Sequence, residues 1–391
     1  MVHNEAYALF LVATLAFVAP VLSRWMRLPE AVMAILIGVA LGTGATQTAF
    51  DAGFLRSLAD FGFLYLMFLA GLEVDFDQIQ AGGPGTTAFN MVIVLVVFGL
   101  SLGASIYMGW PLVAAFAIAA MSLGLVVTTL VNTGRSKGRL GQRILLLGSL
   151  GEFLTLVLLT FYIFFEKYGL GVEILVEILK LLGIFLVALV ILLILRRAVW
   201  WYPHRFERIV CQDDPSEIGV RAGLALMIAF AALAAFLEVE KILGAFLAGM
   251  MISFVFRRAE MLRQKLASLG NGFFIPIFFL SVGVGFSPAS FFNPAVVAFF
   301  VPLFALSLLA KLVPMTALLF DRFGVREVLG SAFLLSAPVT LMVAIAKISS
   351  DLGVIDSAMA DAIVMVALAQ ALLFPSLFQL LFPRPKQEVK A

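Results

Sequence analysis

The sequence predicts an all-α polytopic membrane protein. Of its 391 residues, 63% are hydrophobic and 13% are charged, whereas soluble domains are about 45–50% apolar and about 25% charged. The mean hydropathy is +1.10. The apolar residues are gathered in runs of about 17 to 25 residues, the length that a helix needs to cross a bilayer. Together these observations exclude a soluble globular domain.

About thirteen of these runs are predicted to be membrane-spanning helices. The first has no basic residue before it and is followed by Arg24 and Arg27, so we expect an uncleaved helix rather than a signal peptide. In chain order the predicted spans are 6–26, 29–50, 54–76, 88–108, 112–133, 139–165, 171–195, 218–237, 241–256, 271–286, 291–320, 325–350 and 357–382.

Most lysines and arginines fall in loops that this count places on one side of the membrane, against Arg56, Lys167 and Lys241 on the other. Because cytoplasmic loops carry the excess of positive charge, we expect the N-terminus outside, the C-terminus in the cytoplasm and a location in the cell (inner) membrane. The net charge of +2 gives no reason to expect a nucleic-acid partner.

Metal and nucleophile chemistry have few candidate residues. Cys211 is the only cysteine, and His3 and His204 are the only histidines, which excludes an intramolecular disulfide and a thiolate metal cluster. We therefore expect no cofactor. An intramembrane hydrolase would need a histidine, Ser-Lys or paired-aspartate arrangement, so an enzyme is the least favoured class.

The two halves of the chain resemble each other. Residues 68–76 (FLAGLEVDF) match residues 279–286 (FLSVGVGF), and residues 37–42 match residues 247–251 at the same offset of about 211. This pattern predicts an inverted repeat: residues 1–170, a linker helix and cytoplasmic loop at 171–217, and residues 218–391. Inverted repeats are typical of secondary transporters, whose binding site lies at mid-membrane. The alternative is that short Gly and Phe strings recur by chance.

Two spans are predicted to be broken helices. Pro338 lies inside an apolar run, where proline removes one backbone hydrogen bond and obstructs another. A cluster of small and hydroxyl residues lies at the matching place in the first half. Unwound backbone at this depth is tolerated where it lines a cavity or is buried in protein, although a simple proline kink remains an alternative. The residues assigned to these breaks are Gly124, Ser336, Pro338 and Thr340, and the hydroxyls of Ser122, Thr128 and Thr129 beside the first break are predicted to bind the ion or proton.

Glu152 lies near the middle of the sixth span. An ionised carboxylate there costs at least about 2.5 to 3.5 kcal/mol, so it must be paired, protonated or in contact with water. Ser149 and Gly151 belong to a side of this helix that is small and hydroxylated. That side lets a broken helix approach closely and offers oxygen ligands to a cation, so Glu152 is the predicted site for a proton or a monovalent metal cation.

Lys311 lies deep in the eleventh span, with no charged residue on its own helix. We interpret it as the countercharge of Glu152 when no substrate is bound. A structural ion pair is the alternative, although buried pairs add little stability.

The run 121–130 (MSLGLVVTTL), followed by Gly134, Gly141-Gln142 and Gly151-Glu152, resembles the monovalent cation:proton antiporters of the Kef and NapA type, which have a sodium/hydrogen exchanger-like membrane domain. The resemblance covers nearly the whole chain and includes Lys311. It implies a homodimer, with a core of spans four to six and eleven to thirteen that slides against a scaffold.

The chain also departs from that pattern. Relatives have Asp-Asp, Asn-Asp or Gln-Asp where this chain has Gly151-Glu152, and the Gly-Glu-Phe of many Kef relatives is replaced by residues 339–341 (VTL). The function predicted is exchange of Na⁺ or K⁺ for H⁺ by alternating access, one for one. A sodium-coupled symporter of an organic anion on the same fold is the alternative, because half-helix N-termini can hold an anion.

Overall fold

In the computed structural model, the structure describes residues 2–26, 28–42, 53–74, 83–169, 172–201, 217–237, 239–256, 260–286 and 288–383. Every regular element within these ranges is helical. The predicted all-α membrane fold is therefore confirmed. Parts of several predictions lie outside the described residues: 43–50 of the second predicted span, 75–76 of the third, residue 171 of the seventh, most of the cytoplasmic loop, at 202–216, and the C-terminal residues 384–391.

The helices are numbered here in chain order. The first eight are α1 (Val2–Met26), α2 (Glu30–Leu41), α3 (Gly53–Glu73), α4 (Gly83–Tyr107), α5 (Val113–Ala119), α6 (Gly124–Asn132), α7 (Arg139–Tyr168) and α8 (Val172–Trp201). The rest are α9 (Ile218–Phe236), α10 (Lys241–Val255), α11 (Glu260–Leu269), α12 (Ile275–Gly285), α13 (Pro294–Met315), α14 (Val325–Leu335), α15 (Val339–Asp351) and α16 (Ser357–Leu381).

Three short segments of other helical geometry complete the described chain. A π-helical turn, Gly270–Phe274, joins α11 to α12, and 3-10 turns cover Pro288–Phe292 and Thr316–Asp321. The predicted tenth span, 271–286, is thus only the second part of a longer apolar helical stretch, Met261–Gly285. Within the described residues, nine helical stretches are long and apolar enough to cross a membrane, and shorter apolar helices accompany them.

The chain divides into two compact units. The first contains Met1–Arg24, Met33–Asp77 and Leu156–Gly285, and the second contains Trp25–Val32, Gln78–Thr155 and Phe286–Ala391. The chain passes from the second unit to the first within α7. The predicted repeat boundaries follow a different division, into halves along the sequence, and the inverted repeat stays a prediction.

Glycines bring helices together in the first unit. A methyl group on Gly249 of α10 would collide with the carbonyl oxygen of Phe68 on α3, and one on Gly71 of α3 would collide with the carbonyl oxygen of Phe246 on α10. Helices pack closely in a membrane where small residues let their backbones approach. The α3–α10 pair therefore depends on these glycines.

The second unit is built around two interrupted helices. The first interruption, residues 120–123, separates α5 from α6, and the second, residues 336–338, separates α14 from α15. Contacts join α5 to α15 and α6 to α14, so the two interrupted helices cross. A buried apolar cluster that includes Met121, Leu147 and Leu335 surrounds this crossing.

Candidate functional site

Glu152 lies in α7, and its side chain is 1% exposed. The glycines beside it explain how the first interrupted helix reaches it. A methyl group on Gly151 would press on the side chain of Met121, and one on Gly148 would lie 2.8 Å from Leu123 Cδ2. Residues of the first interruption therefore pack directly on the face of α7 that the small residues leave open.

Both carboxylate oxygens of Glu152 accept hydrogen bonds from this interruption. Ser122 Oγ donates to Oε1 at 3.2 Å, and the backbone N–H of Leu123 donates to Oε2 at 3.1 Å. Leu123 directly precedes α6, whose N-terminus carries unpaired N–H groups and the positive end of the helix dipole. The carboxylate thus accepts from the backbone N–H of the residue directly before α6, where the helix dipole favours a negative charge.

A second hydroxyl connects Ser122 to the other interrupted helix. Ser122 Oγ lies 2.7 Å from Oγ1 of Thr340, in the first turn of α15. Ser122 has a single hydroxyl proton, so when it donates to Glu152 the Thr340 hydroxyl must be the donor between the two. If Glu152 carries a proton on Oε1, the chain can reverse, with Glu152 donating to Ser122 and Ser122 to Thr340. The direction of this chain depends on the protonation state of Glu152.

Lys311 is also buried, at 0% exposed, and it contacts the same interrupted helix in its first half, α5. Its Nζ donates to the carbonyl oxygen of Ile118 at 2.7 Å and to the carbonyl and hydroxyl oxygens of Ser307, both at 3.3 Å. Ile118 belongs to the last turn of α5, where unpaired carbonyl oxygens favour a cation. An acid at the start of α6 and an ammonium at the end of α5 thus stabilise opposite ends of one interruption.

The other predicted site residues differ in their contacts. Ser149 Oγ donates to Leu145 O at 2.9 Å, and the exposed Thr128 donates to Gly124 O and Leu125 O at 3.1 and 3.0 Å. These two hydroxyls are hydrogen-bonded within their own helices. Thr129 is buried in α6, which begins at Gly124. The structure therefore brings Ser122 and Thr340 to Glu152, while the predicted ion-binding roles of Ser149, Thr128 and Thr129 stay predictions.

The second interruption contains an unused hydroxyl. Pro338 directly precedes α15, and Ser336 follows the end of α14. Ser336 is 0% exposed, and its Oγ has no hydrogen-bond partner within the described ranges. Buried polar groups are normally satisfied, so this oxygen is available to a ligand.

An arginine joins three elements of the second unit near the start of α7. Arg143 forms an ion pair with Asp321 at the end of the second 3-10 turn, and its Nη1 donates to Oδ1 of Asn90 on α4 at 2.8 Å. The Arg143 side chain is 9% exposed. This contact fixes the start of the helix that carries Glu152.

Three of the groups that surround the two charges were not predicted from the sequence: the Leu123 N–H, the Ile118 carbonyl and Ser307. The requirement that each half-helix end be satisfied is the signal that predicts the first two. Ser307 precedes Lys311 by four residues, which places both on one helical face. This spacing could have predicted a contact between the serine and the lysine.

The fold and this geometry define a polytopic helical membrane protein with a buried carboxylate at the crossing of two interrupted helices. Comparison with known proteins agrees, because the family model described as "Sodium/hydrogen exchanger, transmembrane" matches residues 12–383. The chain therefore belongs to the sodium/hydrogen exchanger family, which is a family of transporters.

Individual relatives support this membership. The chain is 32% identical over 408 aligned positions to a protein of Bacillus subtilis named "Putative Na(+)/H(+) antiporter YjbQ", an alignment that covers 99% of this chain and 65% of that protein. It is 27% identical to "Probable Na(+)/H(+) antiporter 3" of Methanocaldococcus jannaschii, with 96% of each chain covered.

A solved structure shares the fold. The structure of the sodium proton antiporter MjNhaP1 from Methanocaldococcus jannaschii matches with a TM-score of 0.63 at 12% sequence identity, covering 97% of this chain and 96% of that one. At this identity the match shows the fold alone.

Proposed function

We propose that this protein exchanges a monovalent cation, Na⁺ or K⁺, for H⁺ by alternating access. The observation that carries the proposal is the position of Glu152, an ionisable acid that is 1% exposed and hydrogen-bonded to the first interruption and, through Ser122, to Thr340 of the other interrupted helix. Intramembrane ionisable residues mark ion pathways and proton relays. The family membership and the names of the relatives support the same reaction.

Competition for one carboxylate is the proposed mechanism. Hard cations prefer oxygen ligands, and Glu152, Ser122, Thr340 and Ser336 offer carboxylate and hydroxyl oxygens at or near the two interruptions. When a cation binds, the Ser122 oxygen turns a lone pair to it and its proton to Thr340. When Glu152 binds a proton instead, the cation loses its charged ligand. Because the site has one such carboxylate, one proton exchanges for one cation.

Lys311 is proposed to act as the countercharge of the empty site. Its ammonium is held at the end of α5, while Glu152 is held at the start of α6. A shift of the interrupted helix that weakens either contact would let the ammonium compete with the cation for the carboxylate. In this proposal Lys311 favours release of the cation.

The wider architecture is proposed as follows. The protein works as a homodimer in the cell (inner) membrane, with its N-terminus outside and its C-terminus in the cytoplasm. Spans four to six and eleven to thirteen form the core that moves between the two access states. The excess of basic residues on the predicted cytoplasmic side supports this orientation.

Exchange is tested with purified protein in liposomes that contain a pH-sensitive dye. Pulses of external Na⁺, K⁺ and Li⁺ are given in turn to proton-loaded vesicles. We expect at least Na⁺ or K⁺ to raise the internal pH, and we expect the charge balance to give one proton for each cation. Internal pH that stays constant with all three cations would refute the proposed function.

The same vesicles test the organic-anion symporter. That alternative predicts uptake of an organic solute and no proton movement driven by cations alone. The names of the relatives give it no support.

A further inference from the structure

A second buried polar cluster in the same unit surrounds Lys311. Ser307 and Gln370 are both 0% exposed, as Lys311 is. Ser307 lies one turn before Lys311 on α13, and Gln370 lies within the apolar helix α16. A primary amide in the interior of a membrane protein is costly unless it makes hydrogen bonds. Gln370 has no part in the reaction described so far, so its place beside a buried ammonium requires an explanation.

The serine hydroxyl connects the amide to the ammonium. Gln370 Nε2 donates to Ser307 Oγ at 2.8 Å, and Lys311 Nζ donates to the same oxygen at 3.3 Å. A hydroxyl oxygen has two lone pairs, so these two donors use both of them. Ser307 is therefore held as an acceptor toward Lys311 by the amide of Gln370.

The amide also carries an unused acceptor. Gln370 Oε1 is buried and has no hydrogen-bond partner in the part of the chain that the structure describes. It belongs to the amide group that contacts Ser307, so a carbonyl oxygen stands in the same cluster as the ammonium.

We propose that Gln370 is a positioning residue for Lys311. Gln370 orients Ser307 toward the ammonium, stabilises the charged form of Lys311 and thereby sets the pH range of exchange. This inference rests on the exchange function proposed above. It assigns to the last described helix a part in controlling the countercharge, although that helix contributes nothing to the hydrogen bonds of Glu152 described above.

The elements that pack against α13, the helix of Lys311, carry their other charged and titratable groups at helix or turn ends. Helices α4, α5, α14 and α16 and both 3-10 turns pack against α13, and α5 has no titratable side chain. The titratable groups of the other elements are Tyr107, Asp321, Arg326, Glu327 and Asp361, and Glu152 on α7 is the proposed partner of Lys311. The side-chain oxygen that accepts from the ammonium is Ser307 Oγ, which also accepts from Gln370 Nε2.

The test is the pH dependence of cation-driven exchange in the dye-loaded vesicles. Gln370→Leu removes the amide and leaves Ser307 free to turn away, so the charged form of Lys311 is less stable. We expect half-maximal exchange to move to lower pH by about one unit, the size of one hydrogen bond to a charged group. Gln370→Glu places a carboxylate in the cluster and is expected to move it to higher pH.

Ser307→Ala is expected to shift the curve in the same direction as Gln370→Leu. Its matched control is Ser101→Ala on α4, which removes an equally buried hydroxyl that donates to Val97 O within its own helix. The control is expected to keep the wild-type pH curve. Size-exclusion chromatography identifies any variant that fails to fold, and the Leu and Glu variants give opposite signs that a general loss of stability cannot produce.

The inference is wrong if the two Gln370 variants shift the pH curve in the same direction, or if their curves coincide with that of the wild type. In either case, exchange by the wild type would leave the proposed function standing. In a Lys311→Met background, Gln370→Leu is expected to add no further shift, because residues of one network are not additive. An added shift of full size would also overturn it. Wild-type vesicles without cation-driven pH change would instead refute the function itself.

Discussion

Replacing Ser122 by alanine removes a side-chain hydroxyl that contacts both Glu152 and the second interrupted helix. Ser122 donates to Glu152 Oε1 at 3.2 Å and lies 2.7 Å from Thr340 Oγ1. The substitution leaves the backbone N–H of Leu123 on Oε2. The ionised carboxylate therefore keeps one of these two donors and loses the other.

The size of the effect follows from the two protonation states. A hydrogen bond to an ionised group contributes about 1.5–3 kcal/mol, and one between neutral groups about 0.5–1.5 kcal/mol. Because Ser122 can bond to either form of Glu152, alanine costs the ionised form about 1.4 kcal/mol more than the protonated form. At 1.36 kcal/mol per pH unit, half-maximal exchange is expected to move to higher pH by about one unit.

The assay is the pH profile of cation-driven exchange in dye-loaded liposomes. Thr160→Val is the matched control, because Thr160 lies on the same helix eight residues after Glu152 and its buried hydroxyl donates to Leu156 O at 2.9 Å. The control is expected to keep the wild-type profile. A wild-type profile with Ser122→Ala, or an equal shift with Thr160→Val, would refute the role of the Ser122 hydroxyl.

Two further predictions concern stability in detergent, measured by thermal unfolding. Gly249→Ala forces a methyl group onto the Phe68 carbonyl and is expected to lower the free energy of unfolding by about 1–3 kcal/mol. The control Gly103→Ala places its methyl group in open space and is expected not to lower stability. Equal effects of the two variants would contradict the close approach of α3 and α10. Arg143→Ala removes the ion-pair partner of Asp321 and is expected to lower the free energy of unfolding by about 2 kcal/mol. This is less than for a fully buried pair, because the Asp321 side chain is 36% exposed. An unchanged unfolding temperature would show that the ion pair is dispensable.

The membrane fold and both interruptions are predictable from the sequence because their causes are local. Apolar run length determines whether a helix spans the bilayer, and Pro338 stops the helical pattern wherever it is packed. The structure has α14 ending at Leu335 and α15 beginning at Val339. The first interruption lacks a proline, and its small residues still indicated its place to within a few positions.

The contacts of the site were less predictable, because they depend on tertiary packing. Glu152 and Lys311 are visible in the sequence as charges in apolar spans, but the Ile118 carbonyl and the Leu123 N–H become ligands only where half-helices end. The sequence predicted that hydroxyl residues lie near the ion site, but it could not show which of them contact Glu152. The helical position of Thr128 leaves it exposed and bonded to its own helix, which residue type alone does not reveal.

The proposed exchange depends on competition between H⁺ and a metal cation for Glu152. The direct measurement adds NaCl or KCl to purified protein in weakly buffered detergent and records the protons released. We expect the wild type to release up to about one proton per chain, Glu152→Gln to release none, and Glu166→Gln, an exposed acid on the same helix, to behave as the wild type. Proton release from Glu152→Gln equal to that of the wild type would contradict the assignment of Glu152 as the shared site.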